Sequence, residues 1–357
     1  MTERPQGGKR MQNDRRISFR DEEDLETFMS EPTPRVIESL RAYSGDIAIL
    51  GIGGKIGVTL GMMIARSVAA AGTKTRVYGV SRFSDRDARR KLERSGVECL
   101  ACDLLDRDAV DALPDADRVI FMAGKKFGTA GAEETTWAMN TVVPANVSWR
   151  YRKSAIVAFS TGCVYDFVSP YSGGSSELDA PKASGDYAQS ALGRERVFQH
   201  ASRAYGTSVC LLRLNYAIDP RYGVLHDIAR KVSAEEAIDL AVANLNCIWQ
   251  GDVLERTILS FACAASPAFV LNLTGPETAS VRRIAEEFGR RFGKSPIFSG
   301  GGEAGRAYLN DAGLSFRLFG YPRLTLAEMI GTQADWILAG GGSLGKPTHF
   351  ETTDGNY

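Results

Sequence analysis

The sequence predicts an α/β protein with a doubly wound parallel sheet, covered by helices on both faces, and a smaller carboxy-terminal lobe. Three observations support this fold class. Short apolar runs recur from residue 46 to residue 214. Helical stretches separate these runs, and this alternation is typical of βαβ units in a buried parallel sheet. After about residue 216 the alternation loosens, which indicates a lobe of different construction.

The expected elements follow in chain order. Residues 1–16 are polar and basic and are expected to be disordered. Residues 20–43 predict two short helices, because Thr33 or Ser30 suits an amino-terminal cap and Pro34 suits a first turn. Helices are also expected over 55–72, where Gly72 ends the pattern, and over 84–96. The apolar runs predict strands at 47–51, 76–80, 97–102, 118–124, 155–161 and 208–214.

Composition excludes several function classes. The chain has 43 basic and 43 acidic side chains, so no net field attracts nucleic acid or an anionic membrane. Cys99 and Cys102 form one C-x-x-C motif without a second ligand pair, so the six cysteines predict core thiols rather than a metal site. The amino terminus lacks an apolar stretch, and no apolar run is long enough to span a membrane. A soluble cytoplasmic protein is expected.

A glycine-rich turn links the first predicted strand to the first long helix. It reads Gly51-x-x-Gly54-x-x-Gly57, with Lys55 and Ile56 before the last glycine. Glycine at these positions permits a tight turn, close approach of the backbone to a pyrophosphate, and close packing of the helix on the strand. The helix amino terminus then faces the phosphate charge. This motif therefore predicts a dinucleotide-binding site.

The end of the second predicted strand indicates which dinucleotide is preferred. It carries Ser81 and Arg82 where an acidic residue would hold the ribose hydroxyls. A hydroxyl and a guanidinium accept a 2′-phosphate, which a carboxylate would repel. NADP is therefore predicted over NAD. The alternative interpretation is that Arg82 is a solvated loop residue.

These observations divide the chain into three parts. Residues 1–44 form an amino-terminal extension, and residues 45–215 form a Rossmann-type dinucleotide-binding domain. Residues 216–357 are expected to form mainly a substrate-binding lobe, with 237–265 returning to the Rossmann domain. The Gly-rich tail is either a flexible end or a strap over a neighbouring surface.

Several further motifs resemble one enzyme family. In order they are ACDLLD, FMAGKKF, AMNTVVPANV, FSTGCVYDF, DYAQSALGRE and LLRLNYAID, and the likeness covers about residues 46–335. The chain resembles the extended short-chain dehydrogenases/reductases, also called the NAD(P)-dependent epimerase/dehydratase family. The resemblance implies a set of residues along the cofactor, in addition to the glycine turn: Asp103, Leu104, Ala123, Gly124, Lys126, Asn140, Tyr187 and Asn215.

The resemblance also implies a catalytic pair. Tyr187 would be the general acid or base, and Thr161 would orient the substrate oxygen. The family has a lysine four residues after the tyrosine, where this chain has Ala191. That lysine lowers the pKa of the phenol, so its loss leaves three interpretations. Another cation replaces it (Lys125, Lys126 or Arg194), the phenol stays protonated as a hydrogen-bond donor, or the protein binds NADP(H) without turnover.

The polar residues around this motif suit a hydroxyl-rich ligand. Lys125, Thr161, Asn215 and Arg221 are the predicted substrate contacts, with Arg221 gripping an anionic group. A sugar, a sugar acid and a nucleotide sugar all remain open. Two function classes follow: an NAD(P)-dependent oxidoreductase, epimerase or dehydratase that works by hydride transfer, and a non-catalytic NAD(P)-binding sensor or partner protein.

The helices that carry Asn140 and Tyr187 also predict a homodimer, because relatives pair through these helices. Apolar residues at helical spacing would form the interface, and the alternative is that they only face the sheet. They are Trp137, Val142, Val143, Val197 and Phe198.

Overall fold

The computed structural model describes residues 17–126, 128, 131–301, 305–346 and 348–352. The segment predicted to be disordered, residues 1–16, lies outside the described residues. The strands are β1 (Ile47–Leu50), β2 (Val77–Ser81), β3 (Glu98–Ala101), β4 (Arg118–Phe121), β5 (Ala155–Thr161), β6 (Val209–Leu214), β7 (Ala217–Ile218), β8 (Ala237–Asp239), β9 (Asn244–Leu245), β10 (Ile248–Trp249), β11 (Phe269–Leu273), β12 (Ala279–Ser280) and β13 (Ile297–Ser299).

Seven of these strands form one parallel sheet in the order β11-β6-β5-β4-β1-β2-β3. The predicted α/β fold class is therefore confirmed. The order reverses between β1 and β4, and open α/β sheets bind ligands in the crevice at such a point. The remaining short strands pair two by two: β7 with β10, β8 with β13, and β9 with β12.

Helices cover the sheet and build the lobe. They are α1 (Glu22–Met29), α2 (Pro34–Arg41), α3 (Gly57–Ala71), α4 (Arg86–Arg94), α5 (Arg107–Asp111), α6 (Glu133–Trp137), α7 (Val143–Arg150), α8 (Gly185–Tyr205), α9 (Val224–Ala234), α10 (Gln250–Leu259), α11 (Val281–Phe292), α12 (Gly313–Phe319) and α13 (Leu326–Leu338). A π-helical segment, Ala138–Val142, joins α6 to α7. Local chemistry sets many of the ends. Asp85 caps α4, and Gly72, with φ of 70°, ends α3.

Three apolar clusters hold these layers together. Two lie on the faces of the sheet, and a third fills the lobe. Residues 250–259, in α10, pack on the sheet through Val253, Leu254 and Ile258. Residues 269–273 join the sheet as its edge strand beside β6, beyond the segment predicted to return to it. The division into domains stays a prediction.

The two amino-terminal helices connect the lobe to the sheet. Leu25 and Met29 of α1 belong to the lobe cluster, whereas Val36 and Leu40 of α2 belong to a sheet cluster. We call residues 22–41 the amino-terminal arm. The Glu26 carboxylate of the arm accepts a hydrogen bond from Lys91 of α4 at 2.8 Å and another from Arg221 of the lobe at 2.8 Å. Burial opposes ionisation of Glu26, but its hydrogen bonds to Lys91 and Arg221 hold its pKa below the ordinary value.

The carboxy-terminal tail packs against the lobe. The backbone N–H of Leu344 donates to the carbonyl of Arg221 at 3.0 Å, and the backbone N–H of Thr348 donates to Asp227 at 2.8 Å. The Phe350 side chain is buried in the lobe cluster. The described part of the tail is therefore a strap.

None of the helices in the described ranges combines the length and apolar character that a bilayer span requires.

Candidate active site

A cavity of about 280 Å³ lies at the carboxyl edge of the sheet, where the strand order reverses. It receives residues from the turn after β1, the loop after β4, the end of β5, the start of α8 and the loop after β6. Ten of the predicted site residues line it: Gly51, Gly54, Lys55, Ile56, Gly124, Lys125, Lys126, Thr161, Tyr187 and Asn215. The fold thus brings together segments that lie far apart in the sequence.

The glycine turn has the geometry that a phosphate cradle needs. Gly51 has φ of 89°, and a Cβ there would lie 2.5 Å from the backbone nitrogen of Ala123. A Cβ on Gly57 would lie 2.2 Å from the carbonyl oxygen of Ile52. Only glycine fits these two positions. The N–H of Gly57 donates to the carbonyl of Gly54 at 3.0 Å, but no side chain caps the first turn of α3, as suits a helix terminus that faces an anion.

Tyr187 and Thr161 meet in the cavity. Tyr187 lies in the first turn of α8, and Thr161 is the last residue of β5. Burial and the neighbouring Cys163 raise the pKa of the Tyr187 phenol to about 12, whereas Arg194 and a hydrogen bond with Thr161 oppose this rise. Thr161 accepts a hydrogen bond from the backbone N–H of Cys163 at 3.2 Å. The pair therefore has the proximity that proton transfer through a substrate hydroxyl requires.

Ala191 does not face the cavity. Its side chain is fully buried and packs with Val164 and Tyr165. Arg194, two helical turns beyond Tyr187, instead lines the cavity, and its positive charge acts electrostatically on the phenol. It donates to the carbonyl of Phe159 at 2.9 Å and also to the side-chain oxygen of Asn140. Burial lowers the pKa of Arg194, and the electrostatic influence of Tyr187 opposes this.

Gly124 and Asn140 make room for this guanidinium and hold it. A Cβ on Gly124 would lie 2.2 Å from Nη2 of Arg194. Asn140 belongs to the π-helical segment and is fully buried. Its amide donates to the Lys125 carbonyl at 3.1 Å and to Ser190 Oγ at 2.8 Å. Asn140 therefore lies behind the cavity wall and positions the loop after β4, rather than lining the cavity as the predicted cofactor contact would.

Two lysine ammonium groups enter the cavity. Lys55 Nζ lies 3.1 Å from the ring centroid of Tyr222, and Lys126 Nζ lies 5.7 Å from that of Tyr187. Burial, followed by repulsion from Lys126 and Lys346, lowers the pKa of Lys55 to about 7. Burial also lowers the pKa of Lys126. An anion bound between them would favour their charged forms.

The other predicted cofactor contacts lie outside the cavity, at the neighbouring strand ends. Ser81 ends β2 and faces the glycine turn, since a Cβ on Gly53 would lie 2.7 Å from its hydroxyl. Arg82 is exposed, and so is Asp103, whose carboxylate accepts from the N–H of Leu105 at 3.0 Å. Leu104 and Ala123 are buried in the apolar cluster on one face of the sheet. These residues lie at or just after the carboxyl ends of β2, β3 and β4, and their contact with a dinucleotide stays a prediction.

The structure contradicts the prediction that Arg221 contacts the substrate, because Arg221 does not line the cavity. Its Nε and Nη2 donate to Asp219 at 3.1 and 2.8 Å, and its Nη1 donates to Glu26 at 2.8 Å and Glu22 at 3.2 Å. The guanidinium is buried among these carboxylates. It is therefore committed to joining the arm to the lobe, and is not available to a substrate.

The cavity also contains residues that the sequence analysis did not single out as contacts. Cys163 lies two residues beyond Thr161, and Tyr222 follows Arg221 in the same loop, so proximity to the recognised motifs could have indicated both. Nothing local could have indicated Thr348, which comes from the strap. The full set of such residues is Met122, Phe159, Ser160, Cys163, Arg194, Leu214, Tyr216, Ala217, Tyr222, Gly223, Gln250 and Thr348.

Comparison with known proteins gives one family match. A model of the NAD dependent epimerase/dehydratase family matches residues 47–240, more than half of the chain. No curated protein matches by sequence.

All six cysteines are free thiols, and no cluster of metal-ligating side chains occurs within the ranges that the structure covers.

Solved structures share the fold at low sequence identity. UDP-glucuronic acid 4-epimerase from Bacillus cereus, in complex with UDP-glucuronic acid and NAD, is 18% identical with a TM-score of 0.69, over 82% of this chain and 99% of that one. UDP-glucose 4-epimerase from Thermotoga maritima, with UDP-glucose, is 16% identical with a TM-score of 0.67, over 82% and 98%. dTDP-glucose 4,6-dehydratase from Bacillus anthracis, in complex with NAD, is 12% identical with a TM-score of 0.70, over 83% and 97%.

Proposed function

The chain belongs to the NAD-dependent epimerase/dehydratase family, and we propose that it transfers hydride between a bound nicotinamide dinucleotide and a carbohydrate-like substrate. One observation carries this proposal. The Tyr187 phenol, the Thr161 hydroxyl and the Arg194 guanidinium converge in the cavity that the glycine turn also lines. Acid–base groups beside a dinucleotide cradle are what this reaction requires.

Different residues of the cavity would bind the cofactor, bind the substrate and transfer the proton. The glycine turn and the first turn of α3 would hold the pyrophosphate, and the bound nicotinamide would supply the hydride acceptor or donor. Thr161 would hold the substrate oxygen by a hydrogen bond. In the oxidative direction Tyr187 would accept the hydroxyl proton, and in the reductive direction it would return the proton to the oxygen.

Arg194 is proposed to supply the charge that the family's lysine supplies in relatives. Burial, followed by the neighbouring Cys163, makes the Tyr187 phenolate unfavourable, which is why the phenol's pKa rises. A cation beside the phenol acts in the opposite direction by stabilising the anion. Among the three cations considered from the sequence, Arg194 is the one whose attraction for the phenolate opposes the rise.

The substrate class is proposed to be carbohydrate-like. The structural neighbours from B. cereus and T. maritima hold UDP-glucuronic acid and UDP-glucose, which supports a sugar or nucleotide sugar here. Redox change of the bound nicotinamide, followed by its absorbance while candidate sugars are added, tests the proposal. A change with at least one sugar is expected.

The alternative function is a non-catalytic dinucleotide-binding protein. The raised pKa of Tyr187, about 12, favours it, because the phenol ionises poorly near neutrality. The same experiment separates the two functions. Tight dinucleotide binding without redox change for any sugar, across neutral and alkaline pH, would support the sensor or partner role.

Cofactor preference gives a prediction at the end of β2. NADP(H) is expected to bind more tightly than NAD(H), because the exposed Arg82 can pair with a 2′-phosphate. Arg82→Ala is expected to reduce this preference by about tenfold, which corresponds to a charge-assisted hydrogen bond. Fluorescence titration of both dinucleotides measures it. Arg86→Ala, at the start of α4, is the control, and equal affinity for the two dinucleotides in the native protein would contradict the prediction.

Assembly gives a second prediction. Trp137 and Val142 are 36% and 47% exposed, so they are available to a partner, whereas Val143 and Phe198 are fully buried against the sheet. We propose a homodimer through the exposed side of α6 and the π-helical segment, which carries Trp137 and Val142 next to α8. Light scattering at micromolar concentration is expected to give twice the chain mass. Val142→Glu is expected to give the monomer, since it would place a charge in the apolar contact. A monomeric native protein would refute the proposal.

A further inference from the structure

The carboxy-terminal strap contributes one residue, Thr348, to the active-site cavity. The lining residue that precedes it in the sequence is Gln250, so the chain returns to the cavity after a long excursion through the lobe. The family model ends at residue 240, and the strap therefore lies outside the family match. This part of the cavity wall belongs to no motif that identifies the family.

The strap is fixed on both sides of Thr348. Before it, Ser343 Oγ lies 2.9 Å from Nε2 of His226 in α9, and after it Phe350 is buried in the lobe cluster. The backbone N–H of Thr348 itself donates to Asp227 at 2.8 Å. The position of Thr348 therefore depends on its backbone and its neighbours more than on its own side chain.

The hydroxyl of Thr348 also bonds to Asp227, because Oγ1 donates to Oδ2 of this carboxylate at 2.5 Å. A threonine hydroxyl has one proton to donate and two lone pairs that accept. Its proton is used in the bond to Asp227, so towards a ligand the oxygen can only accept. It therefore suits a ligand group that donates, such as the hydroxyl of a ribose or a sugar.

Asp227 locates this hydroxyl beside the cavity. The carboxylate does not line the cavity, but its charge acts on three residues that do, Lys55, Lys126 and Tyr222. Thr348 lines the cavity and bonds to the same carboxylate. A ligand at this wall thus meets a neutral acceptor, whereas a bare carboxylate would repel the phosphates of a dinucleotide.

We propose that Thr348 Oγ1 accepts a hydrogen bond from a hydroxyl of the bound ligand, which makes the strap part of the binding site. The inference rests on the proposed function, because a nicotinamide dinucleotide and a carbohydrate-like substrate both carry such hydroxyls. The donor is either a ribose hydroxyl of the dinucleotide or a hydroxyl of the substrate. A ligand with no donor at this place would leave the acceptor unpaired and would bind less tightly.

Two titrations of the full chain test the proposal and separate the two donors. Fluorescence titration with NADPH and NADH measures dinucleotide affinity. Calorimetry of the dinucleotide-saturated chain measures the binding of UDP-glucose, UDP-glucuronic acid and D-glucose. Thr348→Val keeps the shape of the side chain and loses the hydroxyl, and is expected to weaken one of these affinities by about three- to tenfold. Weaker binding of the dinucleotide identifies a ribose hydroxyl, and weaker binding of a sugar probe alone identifies a substrate hydroxyl.

Further variants assign the effect to the hydroxyl. Thr348→Ser keeps it and is expected to retain the native affinity. Thr352→Val, the same change at a strap residue outside the described cavity lining, is the matched control. Hydrogen exchange of the amides in residues 343–352 reports whether the strap stays docked. Phe350→Ala removes an anchor but keeps the hydroxyl, so it measures the effect of a loosened strap alone.

Three outcomes would overturn the inference. The first is native affinity of Thr348→Val for every probe, and the second is an equal loss of affinity in Thr348→Ser. The third is faster strap exchange in Thr348→Val and Phe350→Ala with the same loss of affinity in both, because docking of the strap would then explain the effect. A native chain that binds neither dinucleotide would instead reject the proposed function, and calorimetry with the sugar probes would still test Thr348.

Discussion

Replacement of Tyr187 by phenylalanine is expected to lower kcat by about 10²- to 10⁴-fold, which is the usual contribution of a positioned acid–base group. Only the hydroxyl is lost, and the ring stays packed with Cys163 and Ala188. Dinucleotide affinity is therefore expected to stay nearly unchanged. Stopped-flow absorbance of the nicotinamide measures the chemical step, and fluorescence titration measures binding.

Tyr205→Phe is the matched control, since Tyr205 ends the same helix and is exposed. It should leave both quantities unaltered. Full activity of Tyr187→Phe on the true substrate would show that the proton travels through another group. Lys126 and Lys125, which line the same cavity, would then be the first to examine.

The Arg194→Met variant is expected to shift the pH profile of the oxidative direction upward by about 1–3 pH units, the range by which a neighbouring opposite charge displaces a pKa. The direction of this shift follows from the pKa of the Tyr187 phenol. Without the guanidinium the pKa of Tyr187 rises above its already raised value, so less phenolate is present at a given pH. At pH 8 the rate is expected to fall about 10- to 10³-fold and to recover partly in alkali.

A change in pH profile separates an electrostatic role from a structural one, because a loosened fold would lower the rate at every pH. Arg194→Lys retains a cation and is expected to shift the profile less. Arg203→Met, on the exposed side of α8, serves as the control. An unaltered pH profile in Arg194→Met would show that Arg194 does not replace the charge of the family's lysine. It would favour a phenol that acts only as a hydrogen-bond donor.

Much of the fold could be predicted because its determinants are local. The six strands read from the apolar runs all join the sheet, and Gly72 ends α3 as expected. The place of β11 beside β6 depends on pairing across more than fifty residues, which periodicity does not encode.

The residues of the candidate site could be predicted where they belong to a family motif. Tyr187 and Thr161 follow from a family spacing, and the structure places them together. Arg194 was one of three possible cations, and its electrostatic effect on the Tyr187 phenol, which the sequence does not show, favours it. Arg221 could not be judged from the sequence, because a loop arginine has the same appearance whether it holds a substrate or a buried carboxylate. The carboxylates that hold it come from Asp219 nearby and from Glu22 and Glu26 of the distant arm.

The amino-terminal arm has a consequence for how the chain folds. The lobe cluster contains Leu25 from the arm and Phe350 from the strap, which are more than 300 positions apart. A core assembled from such distant segments requires loop closures that bring little stabilisation until they are complete. We therefore expect the lobe to form late and slowly during folding, whereas the sheet around β1 can form from neighbouring βα units. A chain shortened by its arm would retain every residue of the cavity, yet the core beneath one wall of that cavity would remain open.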